Sequence, residues 1–182
     1  MADDRRIALL RGINLGSTNR IAMADLRALL SEDLGLADVR TLLQSGNAVF
    51  TSDAAPAALE RDVADAIAAR LGLEVPVVVR TRDELAAVVA LNPLGDVADE
   101  PKRYQVSFLA GDPDPEAVAA LEAADLAPER VAVHGREVYA WHADGIQRSP
   151  LARLITDKRL GTVATARNWN TVTKLLELAD GG

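Results

Sequence analysis

Arginine and asparagine side chains are concentrated in three short segments of this chain. The first is Arg11-Gly12-Ile13-Asn14, the second is Gln44-Ser45-Gly46-Asn47, and the third is Arg167-Asn168-Trp169-Asn170. Arginine presents a planar fork of donors that matches carboxylate and phosphate oxygens, and asparagine adds amide donors. These segments therefore predict contacts with a small anionic or phosphate-bearing ligand.

The arginine and glycines of the first two segments also have a purely structural interpretation. Arg11 follows the apolar residues of a strand, where a buried arginine needs partners, so it could tie loop carbonyls together instead of binding an anion. Gly12, Gly16 and Gly46 fit the backbone geometry of turns better than ligand contact. No Gly-Lys-Ser or Gly-Lys-Thr sequence follows them, so they do not form a phosphate-binding P-loop.

The third segment stands at the start of the predicted last helix. Asn168 or Asn170 is expected to cap that helix, and Trp169 is more typical of a core position than of a stacking platform. Arg167 is unusual there, because the helix dipole favours negative charge at its N-terminus. Its position fits either an anion held between the arginine and the helix end, or an ion pair with an acidic residue.

The sequence offers little support for covalent catalysis. Ser45 and Ser149 are the candidate nucleophiles, but neither lies in a Gly-x-Ser-x-Gly sequence, and neither has a histidine nearby in sequence. His134 and His142 stand alone, without the spacing typical of a metal site. Catalytic residues and cofactors therefore stay unknown, and a metal site is not expected.

Composition limits the classes of partner. The 182 residues are 49% hydrophobic and 26% charged, which predicts a packed core rather than disorder. The formal net charge of −7 disfavours binding to nucleic acid and to anionic membrane surfaces. The chain contains no cysteine, its N-terminus (Met1-Ala2-Asp3-Asp4) lacks a signal-peptide layout, and no apolar run approaches the roughly 20 residues of a membrane span. We therefore expect a cytoplasmic protein.

Hydrophobic periodicity predicts strands and helices in the order β-α-β-β-α-β in the first half. This is the order of the split βαβ unit of ferredoxin-like folds. A capping box formed by Thr81 and Glu84 opens an additional helix that ends before Pro93. The predicted strands are 7–13, 39–43, 48–51 and 75–79, and the predicted helices are 23–34 and 56–71.

The second half repeats this order of signals. Asp114-Pro115 and Ser149-Pro150 each open a predicted helix, and a further helix closes the chain. The predicted strands are 104–108, 131–133, 138–140 and 162–165. We therefore predict an α+β fold with two ferredoxin-like (βαββαβ) subdomains in tandem, each followed by an extra helix. The subdomains are expected at 1–91 and 104–182, with a linker at 92–103.

This topology predicts which polar residues meet. The first and third strands of such a unit are antiparallel neighbours, so the loop from Arg11 to Asn14 should lie beside Gln44 and Asn47. In the second half, Ser149 and the Arg167-Asn168 pair should lie at one sheet edge. We also expect the flanking asparagines to have amide groups to spare for a ligand.

Several stretches resemble the DUF1697 family, whose members have no assigned function. The matching residues are Leu9 to Gly16, Gln44 to Asn47 with Val49-Phe50, and Thr165 to Thr171, with Gly145 and Arg148-Ser149 between the last two segments. The chain departs from the family pattern at Leu42-Leu43, where an aromatic residue is expected. The resemblance implies an α+β fold with two subdomains, and it implies neither a reaction nor catalytic residues.

These observations predict a protein that binds a small anionic or phosphate-bearing molecule in a polar cleft between the subdomains, either as a binding protein or as an enzyme. The alternatives are a nucleic-acid-binding protein, which the charge disfavours, and a non-catalytic protein-interaction module. Neither the substrate nor the oligomeric state can be read from the sequence. The candidate ligand-binding residues are Arg11, Gly12, Asn14, Gln44, Ser45, Asn47, Ser149, Arg167, Asn168 and Asn170.

Overall fold

A computed structural model describes residues 4–181 of the chain, so Met1, Ala2 and Asp3 of the acidic N-terminus lie outside the described residues. The fold is α+β and contains two four-stranded antiparallel sheets. Within the described range, no helix is long and apolar enough to cross a membrane.

The first sheet has the strand order β2-β3-β1-β4, with every neighbouring pair antiparallel. Apolar residues alternate along β1, so Ala8 and Leu10 face the helices while Ile7 and Leu9 occupy the opposite face. The strands are β1 (Arg5–Leu10), β2 (Ala37–Leu42), β3 (Asn47–Thr51) and β4 (Val77–Thr81).

Two helices pack on the first sheet. α1 (Met23–Ala28) continues as wider π-helical turns over Leu29–Asp33, so the predicted helix at 23–34 exists but is not regular throughout. α2 (Pro56–Leu71) begins with proline, which suits the first helical turn, and ends at Gly72 in the left-handed conformation. Its buried stripe consists of Leu59, Val63 and Ile67, spaced four residues apart.

The second sheet has the order β6-β7-β5-β8 and is also antiparallel throughout. One face of this sheet packs on a core that includes Leu109, Leu121 and Val138. The strands are β5 (Tyr104–Leu109), β6 (Arg130–His134), β7 (Glu137–Trp141) and β8 (Ala164–Asn168). The remaining helices are α3 (Arg82–Leu91), α4 (Pro115–Ala123), α5 (Asp157–Leu160) and α6 (Trp169–Ala179).

Two predictions for the second half need correction. The regular helix expected from Ser149-Pro150 is wrong, since single 3-10 turns at Ile146–Arg148 and Leu151–Arg153 precede the short α5. The closing strand is confirmed as a member of the sheet, but it runs later than the predicted 162–165. Arg167 consequently lies inside β8 and not in a loop before the last helix.

Contacts divide the described chain into two compact units. The first unit contains the residues up to Ala87 together with those from Lys174 onward, and the second contains Val88–Thr173. The predicted subdomain boundaries differ from these limits and stay a prediction. The segment proposed as a linker, 92–103, contains turns between α3 and β5.

Candidate functional site

The polar loops of the first unit meet at one edge of its sheet, as the topology predicted. The Leu10 amide donates to the Gly46 carbonyl at 2.8 Å, which joins the end of β1 to the turn before β3. The Asn14 side chain donates from Nδ2 to the Gln44 carbonyl at 2.7 Å. Residues thirty positions apart therefore form a single polar edge.

The asparagine amides at this edge are used within the protein. Asn14 also donates from Nδ2 to the Ile21 carbonyl at 2.9 Å and accepts from the Ile21 amide at 3.0 Å. Asn47, which is fully buried, donates from Nδ2 to the Leu42 carbonyl at 2.8 Å and to Ser45 Oγ at 2.9 Å. The expectation of spare amide groups is thus wrong for Asn14, and both asparagines position the loops.

Other first-unit candidates are more accessible. Arg11 is half-buried, and its backbone amide donates to the Pro76 carbonyl at 2.9 Å. Gly12 and Gln44 are exposed, and Ser45 is half-buried. Accessible side chains therefore stand on a backbone that Asn14 and Asn47 hold in place.

Gly46 is required by close packing as well as by turn geometry. Its φ of +86° lies in the left-handed region, which favours glycine. A Cβ atom there would lie 2.7 Å from Leu10 Cβ and 2.8 Å from Ile13 Cδ1. The glycine thus allows the turn to pack directly against the end of β1.

Arg167 and its neighbours in the second unit are also engaged in internal contacts. Arg167 is 8% exposed and donates from Nη1 to Thr165 Oγ1 at 2.7 Å and to the Ala166 carbonyl at 2.9 Å. Burial lowers the pKa of this guanidinium to about 10. Asn168 Oδ1 accepts from the Thr171 amide at 3.0 Å, which confirms the predicted cap of α6. Asn170 is exposed.

Trp169 is a packing residue at the start of α6. Its ring stacks on Tyr104, with centroids 4.7 Å apart and planes 13° from parallel. Its backbone amide donates to the Pro101 carbonyl at 3.3 Å.

β7 and β8 end at the same sheet edge, because β5 pairs Tyr104 with Trp141 and Gln105 with Asn168.

A buried polar cluster follows β7, and the expectation that His142 stands alone is wrong. His142 Nδ1 lies 2.7 Å from Ser149 Oγ and 3.9 Å from Glu129 Oε1. Glu129 Oε2 accepts from the Leu151 amide at 3.0 Å, and Ser149 Oγ accepts from the Ala152 amide at 2.9 Å. The three side chains therefore anchor the short turns that replace the expected helix.

His142 and Ser149 share one hydrogen bond in this cluster. Ser149 Oγ accepts the Ala152 amide and retains both a hydrogen and a second lone pair, so it can donate to His142 Nδ1 or accept from it. Burial lowers the pKa of His142, and the nearby Glu129 carboxylate opposes that shift. Serine and glutamate both approach Nδ1, whereas a Ser-His-acid triad uses the two ring nitrogens separately. The cluster is thus a support and not a nucleophile with its base.

A cavity of about 640 Å³ opens beside this cluster. Arg148 is exposed, and within residues 4–181 its side chain makes no hydrogen bond or ion pair. Arg103 donates from Nη1 to the Ala143 carbonyl at 2.7 Å, which holds its guanidinium in place. The lining residues are Arg103, Leu126, Ala127, Pro128, Glu129, Asp144, Arg148 and Pro150.

Two other cavities are less suited to an anion. One of about 540 Å³ is lined by Asp33, Asp62 and Asp65, and its single arginine, Arg70, already bonds Asp33 at 3.0 Å. A second, of about 280 Å³, is lined by two acidic residues and one arginine. Among the described residues, no group of three histidine, aspartate or glutamate side chains is placed to hold a metal ion.

Comparison with known proteins gives a family. The model of the protein family of unknown function DUF1697 matches residues 4–139 of the chain. The chain belongs to the DUF1697 family. The match includes the polar loops of the first unit and Glu129, and it ends before His142 and Ser149.

A solved structure shows the same fold as this DUF1697 protein. It is the conserved bacterial protein SP0830 from Streptococcus pneumoniae, with a TM-score of 0.77 and 23% sequence identity. The similarity covers 96% of this chain and 98% of the pneumococcal chain. No curated protein matches the chain.

Sequence reasoning named Ser149 as a ligand contact but missed the roles of Glu129, His142 and Arg103 in the second-unit site of this DUF1697 protein. Glu129, His142 and Ser149 are far enough apart in sequence to form no recognised spacing, and Arg103 lies in a segment interpreted as a linker. One usable signal was the isolated histidine seven residues before a Ser-Pro pair. No other sequence signal indicated the cluster, because it forms where the end of β7 lies beside the start of β5.

Proposed function

We propose that this protein binds a small anionic or phosphate-bearing molecule in the cavity of its second unit. The observation that carries the proposal is Arg148, an exposed guanidinium without an internal partner among residues 4–181, on the wall of a cavity it shares with Arg103. A cavity of about 640 Å³ is in the size range of small-molecule sites. Arginine suits carboxylate and phosphate groups because its donors can bind two oxygens at once.

Two acidic residues also line the cavity and balance the two arginines in formal charge. Glu129 is buried, and its carboxylate oxygens face the Leu151 amide and His142. Asp144 is exposed and lies beside the arginines on the cavity wall. A ligand that carries a hydroxyl or amino group beside its anionic group would satisfy Asp144 and the arginines together.

The first-unit loops remain candidate contacts for the same class of ligand. Arg11, Gly12, Gln44 and Ser45 stand at or near the surface, while Asn14 and Asn47 hold the loops. In the second unit, Ser149, Arg167 and Asn168 are assigned positioning roles because each is engaged internally. Asn170 stays a candidate contact because it is exposed. The polar cleft expected between the subdomains stays a prediction.

We also infer that both units are ferredoxin-like subdomains. The strand orders β2-β3-β1-β4 and β6-β7-β5-β8 support this inference, as does a helix between the first and second strands of each sheet. Nucleic-acid binding is the weaker alternative, because the net charge of −7 opposes contact with phosphate backbones.

A thermal-shift panel tests the proposed function. Inorganic phosphate, pyrophosphate, nucleoside monophosphates and dicarboxylates are compared at equal ionic strength, with sodium chloride as the control. A ligand that binds the native state raises Tm, and the shift grows with its concentration. We expect at least one member to stabilise the wild type and to stabilise Arg148→Ala much less. A panel in which every anion acts like chloride contradicts the proposal.

A further inference from the structure

Two leucines project from the polar edge of the first unit. Leu15 is 84% exposed and Leu43 is 54% exposed, although most large apolar residues of this chain are buried. They follow Asn14 and precede Gln44, which are joined by a bond of 2.7 Å. The leucines are therefore carried by neighbouring loops at a single edge.

Both leucines are held in defined positions. Two hydrogen bonds close the loop around Leu15. The backbone amide of Asn14 donates to the Asn19 carbonyl at 3.1 Å, and Arg20 Nε donates to the Gly16 carbonyl at 2.9 Å. Leu43 has a φ of +61°, a conformation that is unfavourable for a leucine and would suit glycine or asparagine. The structure thus presents two apolar side chains on turns that hydrogen bonds close, one of them at a conformational cost.

The surroundings of these leucines are basic. Segments 11–24 and 39–52 contain Arg11, Arg20 and Arg40 and no acidic residue, in a chain that has 27 aspartates and glutamates. Asp25 and Arg27 on α1 add one charge of each sign, and Arg27 Nη1 donates to Thr41 Oγ1 at 2.7 Å. This leucine-arginine edge is therefore opposite in charge to the protein as a whole.

We propose that the leucine-arginine edge is a docking surface for an acidic segment of a partner protein that carries apolar side chains. Arginines attract and orient acidic residues, and the two leucines provide apolar area that is buried on binding. A protein segment is favoured over nucleic acid because the projecting side chains are aliphatic and cannot stack on bases. It is favoured over a lipid surface because insertion into lipid does not need two apolar residues on turns that hydrogen bonds close.

Fluorescence anisotropy with a labelled acidic peptide tests this proposal. The probe is a run of glutamates that contains two leucines, and a peptide with lysine in place of each glutamate is the charge control. The Leu15→Ser/Leu43→Gly double variant should bind the acidic probe roughly tenfold more weakly or worse. Arg40→Glu should also weaken binding, and added salt should weaken it further.

Matched variants separate this surface from the anion site and from an effect of unfolding. Leu91→Ser removes an exposed leucine at the end of α3 and should bind like the wild type. Arg148→Ala should also leave peptide binding unchanged, so failure of the anion site and failure of this surface are distinguishable. Leu43→Gly alone should raise Tm, which shows that weaker binding does not come from unfolding.

Four binding results overturn the proposal. They are the absence of binding to the acidic peptide, binding that the double variant retains, equal binding of the lysine control, and leucine-dependent binding to phosphatidylserine vesicles in place of the peptide. A wild-type dimer that the double variant loses would also overturn it, because the occupant would then be a second copy of the chain.

Discussion

The two units of this protein share a framework and differ in the segments that connect it. In both, a buried arginine is the fourth residue of the fourth strand and lies opposite the third residue of the first strand: Arg80 opposite Ile7, and Arg167 opposite Val106. Each donates to the carbonyl just before it, at 3.1 and 2.9 Å. The next residue, Thr81 or Asn168, caps the helix that follows.

The shared framework extends to the end of the first strand. The backbone amide of Leu10 donates to the Gly46 carbonyl, and that of Leu109 donates to the Arg136 carbonyl in the corresponding place. The backbone amide of the next residue in each unit, Arg11 or Ala110, donates to the carbonyl of Pro76 or Val163. An arginine and an alanine therefore occupy matching backbone positions, so only the first unit carries a charge there.

The connections differ more than the strands do. After its third strand, the first unit forms α2, a regular helix of 16 residues. The second unit has two 3-10 turns and α5 in that place, held by Glu129, His142 and Ser149 beside the cavity. Regular elements thus build the frame, and the irregular connections carry the polar chemistry.

The largest expected effect comes from paired glycine substitutions in the two hairpin turns. Gly46→Ala should lower the free energy of unfolding by about 3 kcal/mol, because the methyl group meets Leu10 and Ile13 at a positive φ. Gly135→Ala, with a φ of +57° and open space around it, should cost only about 1 kcal/mol. Urea denaturation measures both, and equal losses would refute the close packing at Gly46.

The loop clamp of the first unit gives the next effect. Asn14→Ala removes the side-chain bonds to Ile21 and Gln44 and should cost about 2 kcal/mol. Limited proteolysis should then cleave the chain between residues 14 and 20 faster than in the wild type. Arg20→Ala, which removes one loop bond, is the milder control. Unchanged proteolysis in Asn14→Ala would show that the loop is held by other contacts.

Acid should affect the second unit through His142. Its pKa is lowered in the folded protein, so below its ordinary value of about 6.5 the unfolded chain takes up the proton more readily. Stability should therefore fall as pH drops below that value, with a slope of at most about 1.4 kcal/mol per pH unit from this one group. His142→Asn should flatten that slope in denaturation curves, while His134→Asn, on an exposed site, should not.

The two matching helix caps should give the smallest effects. Thr81→Ala removes the bond to the Glu84 amide, and Asn168→Ala removes the bond to the Thr171 amide. Each substitution should cost about 1 kcal/mol in urea denaturation. A much larger loss at only one of them would show that the two strand-to-helix junctions are not equivalent.

The sequence predicted the framework well because its signals are local. Continuous apolar runs or alternating apolar residues indicated the eight strands, and the topology then placed Asn14 beside Gln44 correctly. The helix predicted from Ser149-Pro150 failed because a three-residue apolar pattern is too short to distinguish a helix from separate turns. Long-range hydrogen bonds, such as that from the Leu151 amide to Glu129, favour the separate turns. These bonds produce no periodic pattern in the sequence.

Calorimetric titration of the strongest stabiliser from the anion panel is the decisive test of the proposed anion site in the second unit. The titration compares the wild type with Arg148→Ala in the second unit and Arg11→Ala in the first. Arg148→Ala should weaken binding by about tenfold or more, because a charge-assisted contact is lost, while Arg11→Ala should change it little. Binding that Arg11→Ala abolishes and Arg148→Ala leaves intact would contradict the assignment of the site to the second unit.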